Sequence, residues 1–258
     1  MNKRHFRWIG LLLFTALLLR GCLNIYSAKP IEAWIIDAET RQPVEGAVVV
    51  ARWKLVYGLE GGGRYDWVVL ETVTDKNGRF TFPGWGPRVI PTSLLWQAKM
   101  EGDDPDIKFY KFGYAGVKQT QSMADKEYHR PHLDDYVWGG SSEREWYLNG
   151  ETLEYKPAKG DLKLLTEELH DFDFSLNYIR GDGCEYIYIP RALHAVKNAY
   201  EILKAQPGRH IEESPLRNYD MAYVKWIRGD AETRHIQREE CGITAVEAME
   251  AAIWKHRR

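Results

Sequence analysis

Between Ile31 and Phe82 the apolar positions either alternate with polar ones or gather in short β-branched runs. From Leu162 onward they recur every three or four residues. Ile31, Ala33 and Ile35 alternate with Glu32, Trp34 and Ile36, the period of a strand with one buried face. Residues 37–45 are a polar turn region containing Pro43. Gly46 then leads into Ala47-Val48-Val49-Val50-Ala51-Arg52-Trp53, a run suited to a strand buried on both faces. Residues 58–66, with Gly61-Gly62-Gly63, form a loop, and residues 67–74 a further strand. Asp75-Lys76-Asn77-Gly78 is a tight-turn signal, because Gly accepts positive φ and Asp and Asn bond back to their own backbone. Arg79-Phe80-Thr81-Phe82 follows as a short strand with both Phe on one face, ended by Pro83 and Gly84. Residues 92–98 and 107–112 are additional strand candidates, and residues 146–155 a closing strand or a hairpin bent at Asn149-Gly150. Residues 115–142 are polar, irregular and long for a connection, as functional segments often are.

The period changes after Gly160. Leu162, Leu165, Leu169 and Phe172 have helical spacing, and Pro190 suits the first position of a helix carrying Leu193, Val196, Ala199, Tyr200 and Leu203 on one face. Pro207-Gly208 ends that helix, and Thr244 with Glu247 reads as the capping box of a last one containing Ala248, Ala251, Ala252 and Ile253. Strands precede helices without βαβ alternation, so the expected class is α+β: an antiparallel β-sandwich followed by a C-terminal helical segment.

The first residues follow neither period. Lys3, Arg4 and Arg7 precede a short apolar run from Trp8 to Leu19, and Leu19-Arg20-Gly21-Cys22 closes it. A basic start, a short apolar core and a small residue at the cut are the marks of an export signal, and the run is shorter than the roughly 20 residues of a spanning helix. The arrangement resembles a bacterial lipobox. The resemblance implies cleavage before Cys22, attachment of diacylglycerol and palmitate-class acyl chains there, and a membrane-lipid partner. Arg20 stands where a small residue is commoner. Leu23 is not the Asp that holds lipoproteins in the inner membrane, so the expected address is the outer membrane, facing the periplasm. Ordinary secretion and an uncleaved anchor are the alternatives.

Excluding residues 1–21 from 258 leaves 237, enough for one large domain or two small ones. The four cations lost with them take the formal charge from −2 to −6, which argues against a nucleic-acid partner held by phosphate contacts. With 10 Trp and 15 Tyr the chain can bury a sizeable core. Beyond Cys22 only Cys184 and Cys241 remain. An even pair in an oxidising compartment points to a disulfide, the alternative being two buried free thiols.

Asp37-x-x-Thr40-x-x-Pro43-Val44-x-Gly46-Ala47-Val48-Val49, followed by Thr72-x-Thr74-Asp75-x-x-Gly78-Arg79-Phe80 and by Phe109-Tyr110-Lys111-Phe112-Gly113-Tyr114, resembles the carboxypeptidase regulatory-like family. The resemblance covers roughly residues 30–114, and runs to Pro157 if the last strand lies at 151–157. It implies a transthyretin-like (prealbumin-like, Ig-like) β-sandwich and an accessory role in which the domain stabilises, positions or binds, with no catalytic residues. The expected organisation is a signal peptide at 1–21, a tether at 22–29, a sandwich at 30–158 with an insertion around 115–145, and a helical region at 159–258.

Candidate chemistry is sparse. His129, His132, Asp134 and Asp135 lie within seven residues and carry imidazole and carboxylate donors, but Pro131 keeps the His pair off one helical face. Asp103, Asp104 and Asp106 lack the spacing and Gly of a calcium loop. His210 and Glu213 have the H-x-x-E spacing of a zinc peptidase, with His235 and His256 beyond, but too little chain follows for such a catalytic domain. No nucleophile elbow, H-E-x-x-H helix or P-loop appears. Trp34, Trp53, Trp67, Trp85 and Trp96 suit a core better than a stacking surface. The expectation is a non-catalytic envelope lipoprotein without metal or cofactor, binding a protein, peptide or glycan. The rival is a hydrolase, metal-dependent or not, built on residues 115–142.

Overall fold

The computed structural model describes residues 23–57, 63–91, 98–100, 105–118, 141–176, 184–206 and 231–254. Its strands are β1 (Leu23–Ala28), β2 (Ile31–Asp37), β3 (Val48–Tyr57), β4 (Gly63–Val73), β5 (Arg79–Phe82), β6 (Trp85–Pro91), β7 (Lys99–Met100), β8 (Asp106–Tyr110), β9 (Tyr114–Lys118), β10 (Ser141–Arg144) and β11 (Thr152–Pro157). Its helices are α1 (Leu162–Leu176), α2 (Pro190–Lys204), α3 (Ala231–Cys241) and α4 (Ala245–Trp254), with a 3₁₀ turn at Glu185–Ile187. The class is mixed α+β, as the change of period predicts.

Two four-stranded arrays face each other. One has the order β5-β2-β11-β9; in the other β3 pairs with β4 on one side and with β7 and β8 on the other. On β2 the buried positions are Ile31, Ala33, Ile35 and Asp37, so the period-two pattern aims the three apolar side chains at the interior. Val49, Ala51, Trp53 and Leu55 of β3 meet them, together with Phe80, Phe82, Leu153 and Tyr155. A fully buried side chain of this size stabilises by about 1.5–3 kcal/mol.

β3 also shows why its run is so apolar. The alternate residues Val48 and Val50 leave the sandwich core and pack on a helical layer. Leu165, Leu169 and Phe172 of α1 and Val196, Ala199, Tyr200 and Leu203 of α2 form that layer, so β3 is covered on both faces. The architecture is thus three-layered, sheet on sheet on helices.

A third sheet has the order β10-β1-β6. Ala28 pairs with Trp85 and Ile31 with Phe82, so one register runs through the break at Lys29, Pro30, Pro83 and Gly84. A Cβ on Gly84 would lie 2.7 Å from the Ala28 carbonyl oxygen, which is why the crossing takes glycine. β1 and β2 therefore follow one another in a single register with β6 and β5.

Several expectations are corrected. Residues 23–29 are not a tether: Leu23–Ala28 is β1, the middle strand of its sheet, with Tyr26 and Ala28 buried. β6 was hidden by Gly86 and Pro87, which the sheet accepts because β6 is an edge. The sandwich is not purely antiparallel, since β10 runs parallel to β1 and β11 parallel to β2. Residues 146–155 make no hairpin; a turn over 147–150 leads into β11, which pairs with β2 and β9. The ends of the 115–142 segment enter β9 and β10. Residues 92–97 lie outside the described residues.

Candidate functional site

A cleft of about 430 Å³ opens where α3 meets α4, lined by Arg234, His235, Arg238, Thr244, Val246 and Glu247 among others. Its charges are partly spent. Arg238 is ion-paired with Glu247, and His235 lies 3.3 Å from Glu239 on an exposed helix face. The Thr244 hydroxyl and the Glu247 carboxylate are 3.0 Å apart, which would suit a nucleophile and base by distance alone. They form the predicted capping box instead: Thr244 N–H donates to Glu247 at 2.9 Å and Glu247 N–H to the Thr244 hydroxyl at 3.3 Å. The Thr244 N–H and the Arg238 guanidinium hold the Glu247 carboxyl below its ordinary value. The capping box and Arg238 thus hold the cleft's carboxylate in place.

Beside the 3₁₀ turn, Cys184 and Cys241 are within disulfide-bonding distance, Cα atoms 5.6 Å apart. Cys184 precedes the turn and Cys241 ends α3, so the bridge joins a turn to a helix C-terminus rather than two helix starts. Tyr186 reinforces the join by donating its hydroxyl to the Ile243 carbonyl at 2.8 Å.

A deeply buried cation sits between layers. Arg52 shares the helix-facing side of β3 with Val48 and Val50 and is 3% exposed. It pairs with Asp106 of β8, lies 3.8 Å from the buried Asp66 of β4, and donates to the Ser175 carbonyl in the last turn of α1. Burial would raise the Asp106 carboxyl, but Arg52, Lys54 and Lys108 outweigh it and bring it to about 2. Asp106, considered above for calcium, is thus committed to three cations.

Glu71 of β4 makes the second inter-layer tie. Helix α2 starts after Ile189, whose side chain offers no cap. Glu71 supplies one from 120 residues away, accepting from Arg191 N–H at 3.0 Å and Ala192 N–H at 2.5 Å. Burial nevertheless raises its carboxyl to about 7, the two N–H bonds opposing the rise. No sequence signal flags this role, because the helix and its cap are far apart along the chain.

At the end of β2 Asp37 accepts from the N–H groups of Glu39 and Thr40, both at 2.8 Å, and from the Tyr114 hydroxyl at 3.0 Å. These bonds, led by that of Thr40, lower its carboxyl. Asp37 and Thr40 of the family-like motif thus close a turn.

Of the five tryptophans considered above, Trp53 and Trp85 are core and Trp67 packs against it, Trp85 lying edge-on to Trp53 at 5.7 Å and to Trp67 at 5.6 Å; Trp34 is half-buried, and Trp96 lies outside the described residues. Cys22, His129, His132, Asp134, Asp135, Asp103, Asp104, His210, Glu213 and His256 lie outside the described residues. Among the described residues no three His, Cys, Asp or Glu are grouped to hold a metal ion, and no helix is long and apolar enough to cross a membrane. No protein-family model, curated protein or solved structure matches the chain.

Proposed function

We propose that this chain is a lipid-anchored, non-catalytic module of the bacterial cell envelope, attached through Cys22 to the outer membrane and facing the periplasm. Its strands form a transthyretin-like sandwich of carboxypeptidase regulatory-like type, and its role is to bind or position a protein, peptide or glycan. The observation that carries the proposal is the meeting of Cys184 and Cys241 at 5.6 Å, which suits an oxidising compartment, in a chain whose first residues have the pattern of an export signal ending at a cysteine. The accessory role is supported by how the buried charges are used: Arg52 and Asp106 join layers, and Glu71 caps a helix. The sandwich type is supported by Gly78, which holds positive φ in the turn that the family motif places there.

The test is Cys22→Ser in the producing cell. Two or more acyl chains hold a protein stably on a membrane, whereas one binds marginally. The variant is expected to leave the membrane fraction, and mass spectrometry of the unaltered protein to find a diacylated N-terminal cysteine. An unmodified mature N-terminus in membrane-extracted protein refutes the anchoring.

A further inference from the structure

We propose that the end of the molecule carrying Leu23 and Pro91 docks directly on the phospholipid bilayer, with no tether between anchor and fold. The proposal rests on acylation of Cys22. Cys22 and Leu23 are consecutive, so their Cα atoms are ~3.8 Å apart. Leu23 is already the first residue of β1.

β1 is held from its first residue. It lies between β6 and β10, with Leu23 opposite Pro91 and Ile25 opposite both Val89 and Ser141. The Asn24 side chain donates to the Ala98 carbonyl at 3.1 Å, and the buried Tyr26 hydroxyl accepts from Met100 N–H at 3.4 Å. Peeling β1 away to make a tether would break two ladders and expose part of the core. An acylated residue at headgroup level therefore brings this end of the sheet to the headgroups.

The surface found there suits that position. β6 runs antiparallel to β1, so its last residues reach the anchor end. Val89 is 52% exposed on that edge, and the exposed Arg88 beside it lays its guanidinium over Trp67 and Trp85 at 5.8 and 5.6 Å. An exposed apolar side chain on one face of the edge strand and a cation on the other fit the boundary between acyl chains and phosphates. The 75–78 turn lies at the far end of the β2–β5 ladder, which carries the register on from β1 and β6, and there Ile35 N–H donates to the Gly78 carbonyl. Gly86 lies between, three residues or ~10 Å of strand from Val89.

The experiment uses the full acylated chain in vesicles of phosphatidylethanolamine and phosphatidylglycerol. A nitroxide is attached, one site at a time, to Val89→Cys, Gly86→Cys or Lys76→Cys. All three positions are exposed, and an added Cβ at Gly86 meets nothing within 4 Å. The ratio of oxygen to polar-relaxant accessibility is expected to be several-fold higher at 89 than at 76, with 86 between. A flexible Gly-Ser linker inserted between Cys22 and Leu23 is expected to bring 89 down to the level of 76 while the lipid remains. Equal accessibility at the three sites, with the lipid present on Cys22 by mass spectrometry, overturns the docking alone. A missing lipid overturns the anchoring and the docking together.

Discussion

Gly78 has φ of +71°, and a Cβ there would lie 2.2 Å from the Ile35 carbonyl oxygen. Its own carbonyl accepts from Ile35 N–H at 2.8 Å, so turn and sheet share one residue. A side chain adds the left-handed cost of about 1–2 kcal/mol and a collision with rigid backbone. Gly78→Val is expected to lower stability by at least that amount, read from the urea midpoint; an unchanged midpoint would contradict the turn geometry. The turn was legible in Asp75-Lys76-Asn77-Gly78, because turn chemistry is local. Arg52 was partly legible, as a lone charge in an apolar run. Its partners were not, since Asp66, Asp106 and Ser175 come from three other elements.

At the scale of elements, α2 and β4 are joined by Glu71. The folded carboxyl titrates near 7, above its ordinary value of 4.5. A raised folded value means that the folded state holds the proton more tightly. The stability this provides is complete below about 4.5 and is lost as pH rises through about 7. Asp106 has the opposite sign, its contribution being lost as pH falls from 3.8 towards 2, outside that window. Glu71→Gln keeps an acceptor for the helix and removes the titration. The stability of the original protein relative to the variant is therefore expected to fall between pH 4.5 and 7 and to be level on either side. Thermal melts of both proteins across this range check it, and parallel curves would show that Glu71 is not buried as described. Helices α1, α2 and α4 were legible from spacing, proline and capping box. Helix α3 was not, because Ala231–Cys241 is mostly charged and exposed; it presents little apolar face to count.

For the whole molecule, the Cys184–Cys241 bridge spans 57 residues and ties α3 and α4 to the 3₁₀ turn before α2. Closing a loop of that length stabilises by up to about 4 kcal/mol in the chain-entropy model. The double variant Cys184→Ser and Cys241→Ser is expected to lose a stability of this order. Hydrogen exchange should rise first in α3 and α4, where Tyr186, Ala245 and Ala248 make only a small apolar cluster. Exchange that rises uniformly, or stability that does not change, would mean that packing alone holds these helices. By itself the sequence determined the class, the inward faces of β2 and β5, the burial of β3 on both faces, the 75–78 turn and the cysteine pair as the disulfide candidate. Each of these depends on periodicity, on local backbone chemistry or on counting. Only the tertiary structure decided that residues 23–28 are a central strand, that β1 and β2 share one register with β6 and β5, and that Glu71 caps a helix 120 residues away. These depend on pairings between distant segments, where a strand's partner is chosen by shared burial and register rather than by anything in its own residues.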